Sequence, residues 1–357
     1  MKNTLRIAGA YVGIIIGAGF ASGQEIVQFF TSFGLWGIVG AVITIALFAF
    51  IGMQLIQLGS HLQVSSHKKV IRHICGKYLG PVVDITLTFF LFGVATIMVA
   101  GSGSIFEQQF GMSPLVGNIL MVILSTLTLC LNTDKVISVI SLISPYMLTL
   151  IIIITIYSFF TSNAELSELE SIALAQPSAA SHWLLSALLY VAFNIAVGFS
   201  MMTLIGSTSK DSRVAGRGAV LGGICLGVLV VLINLGIYAN INRLQGVDMP
   251  TLALASDISP FVGILMSIAL LSMIFNTAVG MLYSFTARFV EADTPKFRGA
   301  VVVVGLLSFA ASLVGFTDLV STVYPLMGYL GFVLIGGVAI TWLRSKKQSA
   351  PVTAEEQ

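Results

Sequence analysis

Long apolar runs separated by short polar connections dominate the chain. A bilayer crossing takes roughly 20 apolar residues of helix. Ten runs reach that scale: residues 5–30, 34–59, 81–106, 113–131, 136–160, 183–206, 214–239, 259–288, 298–316 and 318–343. The longest connections, 60–80 and 161–182, leave no room for a soluble domain between spans. The first contains "SSHKKVIRHICGKYLGP", which predicts a short interfacial amphipathic helix. Val70, Ile71 and Ile74 would face the acyl boundary, with Lys68, Lys69, Arg72 and Lys77 toward headgroups. The second connection is acidic and reads most simply as a solvated loop that could include a helical turn. In the first run the pattern is interrupted. "GIIIGAGFASGQE", Gly13 to Glu25, puts glycines and then hydroxyl, amide and carboxyl groups into a segment long enough to span.

The interruption has a partner. "YVGIIIGAGFAS" from Tyr11 aligns without a gap to "YVAFNIAVGFSM" from Tyr190, with identities at Tyr11/Tyr190, Val12/Val191, Ile16/Ile195, Gly19/Gly198 and Phe20/Phe199. The offset of 179 residues joins the first span of one five-span half to the first span of the other. Because five is odd, the halves enter the membrane in opposite senses. Paired Gly-interrupted spans in an inverted repeat mark discontinuous helices lining a site near the midplane. Irregular backbone is tolerated at that depth only when it lines a cavity or is buried in protein.

Composition agrees with a chain whose solvent is largely lipid. Of 357 residues, 57% are hydrophobic and 9% charged, against roughly 25% charged in soluble domains. The predicted fold class is an all-α polytopic membrane protein of ten transmembrane helices, a 5+5 inverted repeat with helices 1 and 6 discontinuous. Residues 1–160 form the first repeat, 161–182 an extracellular connection, 183–343 the second repeat and 344–357 a cytoplasmic tail. The net charge of +2 does not call for nucleic acid, but its distribution orients the chain. With ten spans, 16 of the 17 basic residues share the side of the termini and only Arg243 falls opposite, so both termini are predicted to be cytoplasmic. The three cysteines are scattered and the four histidines avoid mid-span positions, which suggests neither a disulfide framework nor a metal centre.

With those motifs in hand, the chain resembles the amino acid–polyamine–organocation superfamily and its five-plus-five leucine-transporter fold, across all ten spans. More closely, "GIIIGAGFASGQE" together with "FNTAVGMLYSFTARF" is similar to the YkvI-type bacterial membrane proteins, and "GAG" also resembles branched-chain amino acid carriers. The resemblance implies a sodium ion between spans one and eight. Its ligands would be the backbone carbonyls of Gly13, Ile16 and Met273 and the side chains of Asn276 and Thr277. Asn276 departs from the usual Ser or Thr. A second sodium ion is not expected, since Cys225 and Gly223 stand near the position of the required amide. The implied substrate contacts are Gly17, Ala18 and Gly19, Val99 and Gly103 from span three, and Asn194, Ala196, Gly198 and Phe199 from span six, with Phe199 as the aromatic wall. Asp318 lies about where relatives carry an outer-gate acid.

Other readings concern individual residues. Gly9, Gly13 and Gly17 form a small-residue ridge, and Gly9 is expected to pack against a helix, as are Gly218, Gly222 and Gly223. Glu25 lies eight residues beyond Gly17, roughly 12 Å along a helix, near the outer vestibule. It is a vestibule acid, a proton carrier, a gate, or the partner of a substrate amine. Asp84 is read as capping span three, and Pro145 and Pro325 as kinking spans five and ten. The implied function is ion-coupled secondary transport in the plasma membrane. The solute would be small and organic, an amino acid or related amine, with Na⁺ as coupling ion and no organic cofactor. The alternatives are coupling to protons through Glu25, and a transporter-fold sensor resembling germinant receptors. With no histidine in any span and no paired intramembrane aspartates, an enzyme is not expected.

Overall fold

Hydroxyl residues followed by proline mark where several helices start. In "ISP" the Ser259 hydroxyl accepts from Val262 N–H at 3.2 Å ahead of a helix beginning at Pro260; in "DTP" the Thr294 hydroxyl accepts from Phe297 N–H at 3.1 Å ahead of Pro295. Asp211 caps another, accepting from Arg213 N–H at 2.8 Å. The computed structural model describes residues 2–63, 67–130, 143–162, 164–209, 211–291 and 294–348, and it contains no strand among them. The helices are α1 (Lys2–Ile15), α2 (Ala18–Ser22), α3 (Gln24–Phe29), α4 (Gly34–Leu62), α5 (His67–Phe110), α6 (Pro114–Cys130), α7 (Ile143–Thr161) and α8 (Leu166–Leu174). They continue as α9 (Trp183–Ser207), α10 (Ser212–Tyr238), α11 (Pro250–Ile258), α12 (Pro260–Thr286), α13 (Pro295–Ser312) and α14 (Phe316–Gln348).

By length and apolarity, six stretches among the described residues can cross a membrane, and a seventh does if bent α9 is counted as one span; α6 and Tyr146–Thr161 are shorter. The start of the predicted fifth run lies outside the described residues, which resume at Ile143 in α7, the helix that holds Pro145. Pro325 does lie inside its helix, α14. The predicted interfacial helix is not separate. It is the start of α5, which runs 44 residues with Pro81 inside it. The acidic connection is not merely solvated either. It carries α8, whose Glu170 accepts from Leu35 N–H at 3.0 Å and from the Tyr238 hydroxyl at 2.7 Å, satisfying the exposed start of α4.

Two groups of helices face each other. α1, α4, α9 and α10 pack together, α5 packs against α6, α12 and α13, and α14 bridges from α9 to α5. Close approach in the first group depends on glycines. A side chain at Gly223 or Gly227 of α10 would strike the α4 backbone at Ala49 or Ile45, and one at Gly206 of α9 would strike Ile56 O. Gly218 and Gly222 press on Ile7 and Tyr11 of α1, so the expected packing role holds there. Gly9 has nothing within 4 Å, so it does not serve as a packing ridge.

Candidate substrate and ion site

The ladder of α1 ends where Ile16 N–H donates to Val12 O at 3.0 Å, and helical pairing resumes with Ala21 N–H on Gly17 O at 3.0 Å. Between those bonds the last carbonyls of α1 and the first amides of α2 have no helical partner. Gly17 is extended there, φ −104° and ψ −178°. The first predicted discontinuity is therefore real. A second one follows at Gly23, with φ +83°, where α2 ends and α3 begins. The run that could have continued straight outward is folded into two short helices instead.

That second break relocates Glu25. Rather than standing a dozen ångströms out in a vestibule, its carboxyl group turns back over α2 and lines the central cavity beside Gly19. It is 4% exposed and hydrogen-bonded to the Tyr324 hydroxyl. A β-carbon at Gly19 would collide with Glu25 Oε1 and lie 2.8 Å from the Tyr324 hydroxyl oxygen. Gly19→Ala is accordingly expected to displace Glu25 and cost about 1–3 kcal/mol of stability, read as a lowered melting temperature of the purified protein.

The cavity, about 310 Å³, lies between the two helix groups, at the small end of the roughly 300–1,000 Å³ range of ligand sites. It draws Gly17, Ala18, Gly19 and Glu25 from the broken segment, Val94 and Met98 from α5, Phe193 and Asn194 from α9, and Tyr324 from α14. Gly13 and Ile16 face the same space as Met273, Asn276 and Thr277 of α12, so all five positions assigned to an ion converge on one cavity.

Several predicted contacts lie elsewhere. α9 is not unwound. It bends by 60° between Trp183–Phe199 and Met201–Ser207 while remaining helical. Its cavity face therefore follows helical spacing: Phe193, Asn194, Val197 and Met201 line the space. Phe199 is fully buried away from it, Ala196 borders only a small side pocket, and Gly198 packs against Ile15. The aromatic wall is Phe193, stacked on Tyr324 with centroids 4.8 Å apart and planes 6° apart. On α5, Val99 is buried outside the cavity and Gly103 sits against Asn118 and Pro114 of α6. Asp318 is exposed. Its neighbour Thr317 instead donates to Asp248 at 2.6 Å and accepts from Gln28 through its carbonyl at 3.2 Å.

Opposite closures flank the cavity. Asp248 holds α14 through Thr317 and α5 through the Ser104 hydroxyl at 2.6 Å, while Met249 exchanges hydrogen bonds with Gln108 at 3.0 and 3.1 Å. Thr251 donates to Ala21 O, tying α11 to α2. Toward the other end, Val94, Val197 and Met281 border both the cavity and a smaller pocket that reaches Arg288. Arg288 donates to the Asp84 carboxylate at 2.7 Å, so Asp84 joins α5 to the turn that follows α12 rather than merely capping a helix. The sequence offered no sign of this pairing, which spans 204 positions.

Solved structures share this arrangement. Inward-facing Mhp1 superposes with a TM-score of 0.68 at 14% identity, covering 96% of this chain and 77% of that one. MhsT in complex with L-phenylalanine gives 0.62 at 17%, covering 95% and 98%, and a Na⁺-coupled sialic acid symporter gives 0.62 at 14%, covering 93% and 78%. The chain has the leucine-transporter fold. In the leucine-transporter fold the chain is a 5+5 inverted repeat in which each of the two groups draws helices from both halves, and the broken first span and bent sixth are equivalent positions. By sequence, the chain is 25% identical to the membrane protein YkvI of Bacillus subtilis (strain 168) over 336 residues, 93% of this chain and 94% of that one. It is 24% identical to YyaD of the same strain over 326 residues, 91% and 92%. No family model matches the chain. These structural matches are transporters rather than enzymes.

Proposed function

We propose that the protein is an ion-coupled secondary transporter of a small organic solute, an amino acid or related amine, working by alternating access in the plasma membrane with cytoplasmic termini. The observation that carries this reading is the cavity at the α1–α2 break. Unpaired backbone, a carboxyl group and an aromatic pair meet there, between two closures. The coupling ion is Na⁺, held by the carbonyls of Gly13, Ile16 and Met273 and the side-chain oxygens of Asn276 and Thr277. Hard oxygen donors of this kind suit a hard cation, and a structural neighbour is itself described as Na⁺-coupled. Gly17 to Gly19 and Asn194 contribute to solute binding.

A panel of small amines and amino acids, screened for thermal stabilisation with and without Na⁺ and then for uptake into proteoliposomes, tests the reading. Sodium-dependent uptake is expected. Uptake that ignores Na⁺ overturns the coupling assignment in favour of protons, and saturable stabilisation without any uptake makes the protein a sensor. Alternating access adds a second expectation. Asp248→Ala removes the acceptor shared by Ser104 and Thr317 and should loosen the roof. An Ala18→Cys reporter should then react several-fold faster with an impermeant thiol reagent applied from the Asp248 side.

A further inference from the structure

The charge in the cavity is one-sided. Among the described residues, Glu25 is the only ionisable acid or base on its wall apart from the phenol of Tyr324, and no lysine, arginine or histidine lines it. The single ion pair among the described residues, Asp84–Arg288, does not involve Glu25. A carboxylate enclosed in this way is costly unless a cation meets it. Its side-chain hydrogen-bond partner among the described residues is Tyr324, whose ring forms, with Phe193, a parallel stack on the cavity wall. Carboxylate beside aromatic faces is the combination that receives an ammonium group, by charge and by cation–π attraction.

The same geometry disfavours an α-carboxylate. The free amides at the start of α2 would be its natural partners. They open beside Glu25, whose Oε1 crowds the place a side chain on Gly19 would take. A second carboxylate there would meet a like charge at close range with no arginine or lysine to offset it. The remaining wall is mostly apolar, with Ile14, Val94, Met98, Val197 and Met281 available to an aliphatic or aromatic tail.

We propose that this cavity selects organic monocations: a primary amine lacking an α-carboxylate docks its ammonium between Glu25 and the Phe193–Tyr324 stack. The proposal rests on the transport reading above for its biological sense, but it concerns binding and is tested separately.

Two matched sets of probes decide it with the purified full-length protein. One is 3-methylbutylamine, leucine and 4-methylpentanoate; the other is phenethylamine, phenylalanine and 3-phenylpropanoate. In each set one ligand is the amine alone, one the zwitterion and one the acid. Thermal stabilisation is expected to saturate for the amines at concentrations at least about tenfold below those for the zwitterions, with no response to the acids. Glu25→Gln should weaken amine binding by about tenfold or more, and Tyr324→Phe by less. If Glu25→Gln does not fold, the wild-type ratio of amine to zwitterion decides alone. Zwitterions binding as tightly as amines, or no saturable response to any amine, overturns the proposal. So does amine binding that survives Glu25→Gln while proton-driven uptake is lost, which assigns Glu25 to proton movement. Amine binding without uptake upholds the proposal and overturns transport; uptake of zwitterions alone does the reverse.

Discussion

Thr277→Ala is expected to abolish sodium stimulation of uptake while leaving the fold intact. Thr277 lines the cavity on α12, across from the carbonyls that α1 releases at its break. A cation held there by backbone and side-chain oxygens loses one of few hard donors when the hydroxyl goes. A weakening of at least about tenfold in the half-saturating Na⁺ concentration corresponds to about 1.4 kcal/mol or more. That is modest for the removal of a direct ligand. Thr277→Ser keeps the oxygen and should retain the response, which separates ligand loss from altered packing. Sodium titration of uptake in proteoliposomes reads both. Unchanged sodium dependence in the alanine variant rules out this position as a ligand.

The second large effect belongs to Gly23. Its φ of +83° costs a residue with a β-carbon about 1–2 kcal/mol, and that atom would stand 2.9 Å from both Ile237 Cδ1 and Thr251 Cγ2. Overpacking adds about 1–3 kcal/mol. Gly23→Ala should therefore lower the melting temperature and, by tilting α3, withdraw Glu25 from the cavity, so that solute binding falls along with stability. Gly111 is the control. Its φ is +64°, but nothing lies within 4 Å, so Gly111→Ala should carry the backbone penalty alone and leave binding unchanged. Thermal melts with and without a bound amine compare the two. Equal binding losses would mean that Gly23 has no special hold on the site.

Much of this architecture was legible in the chain, for reasons that also explain what was not. Apolar runs and the Tyr11/Tyr190 register reveal spans and a repeat because lipid imposes both on the sequence directly. The Gly17 break could be read because its signal is local. Gly23 was overlooked beside it because one more glycine in a polar run looks like loop, although its left-handed backbone is what carries Glu25 inward. Phe199 is the aromatic wall that unwound backbone in the sixth span would present; the structure puts Phe193 there instead. Since α9 stays helical, the faces follow helical rotation, and six residues separate one face from another. Tyr324, Asp248 and the Asp84–Arg288 pair act through contacts between distant segments. No spacing along the chain marks these.

The two closures differ in physical kind. The roof around Asp248 is made of hydroxyl and amide donors, whereas the opposite end is fastened by an ion pair whose side chains are 21% and 32% exposed. Dissolved electrolyte weakens a partly exposed ion pair, less than a fully exposed one but more than it weakens buried, short hydrogen bonds. Ionic strength thus acts on the molecule unevenly. Under the proposed alternating access, rising salt is expected to loosen the Arg288 end before the Asp248 end, which would make electrolyte a bias on which way the cavity faces.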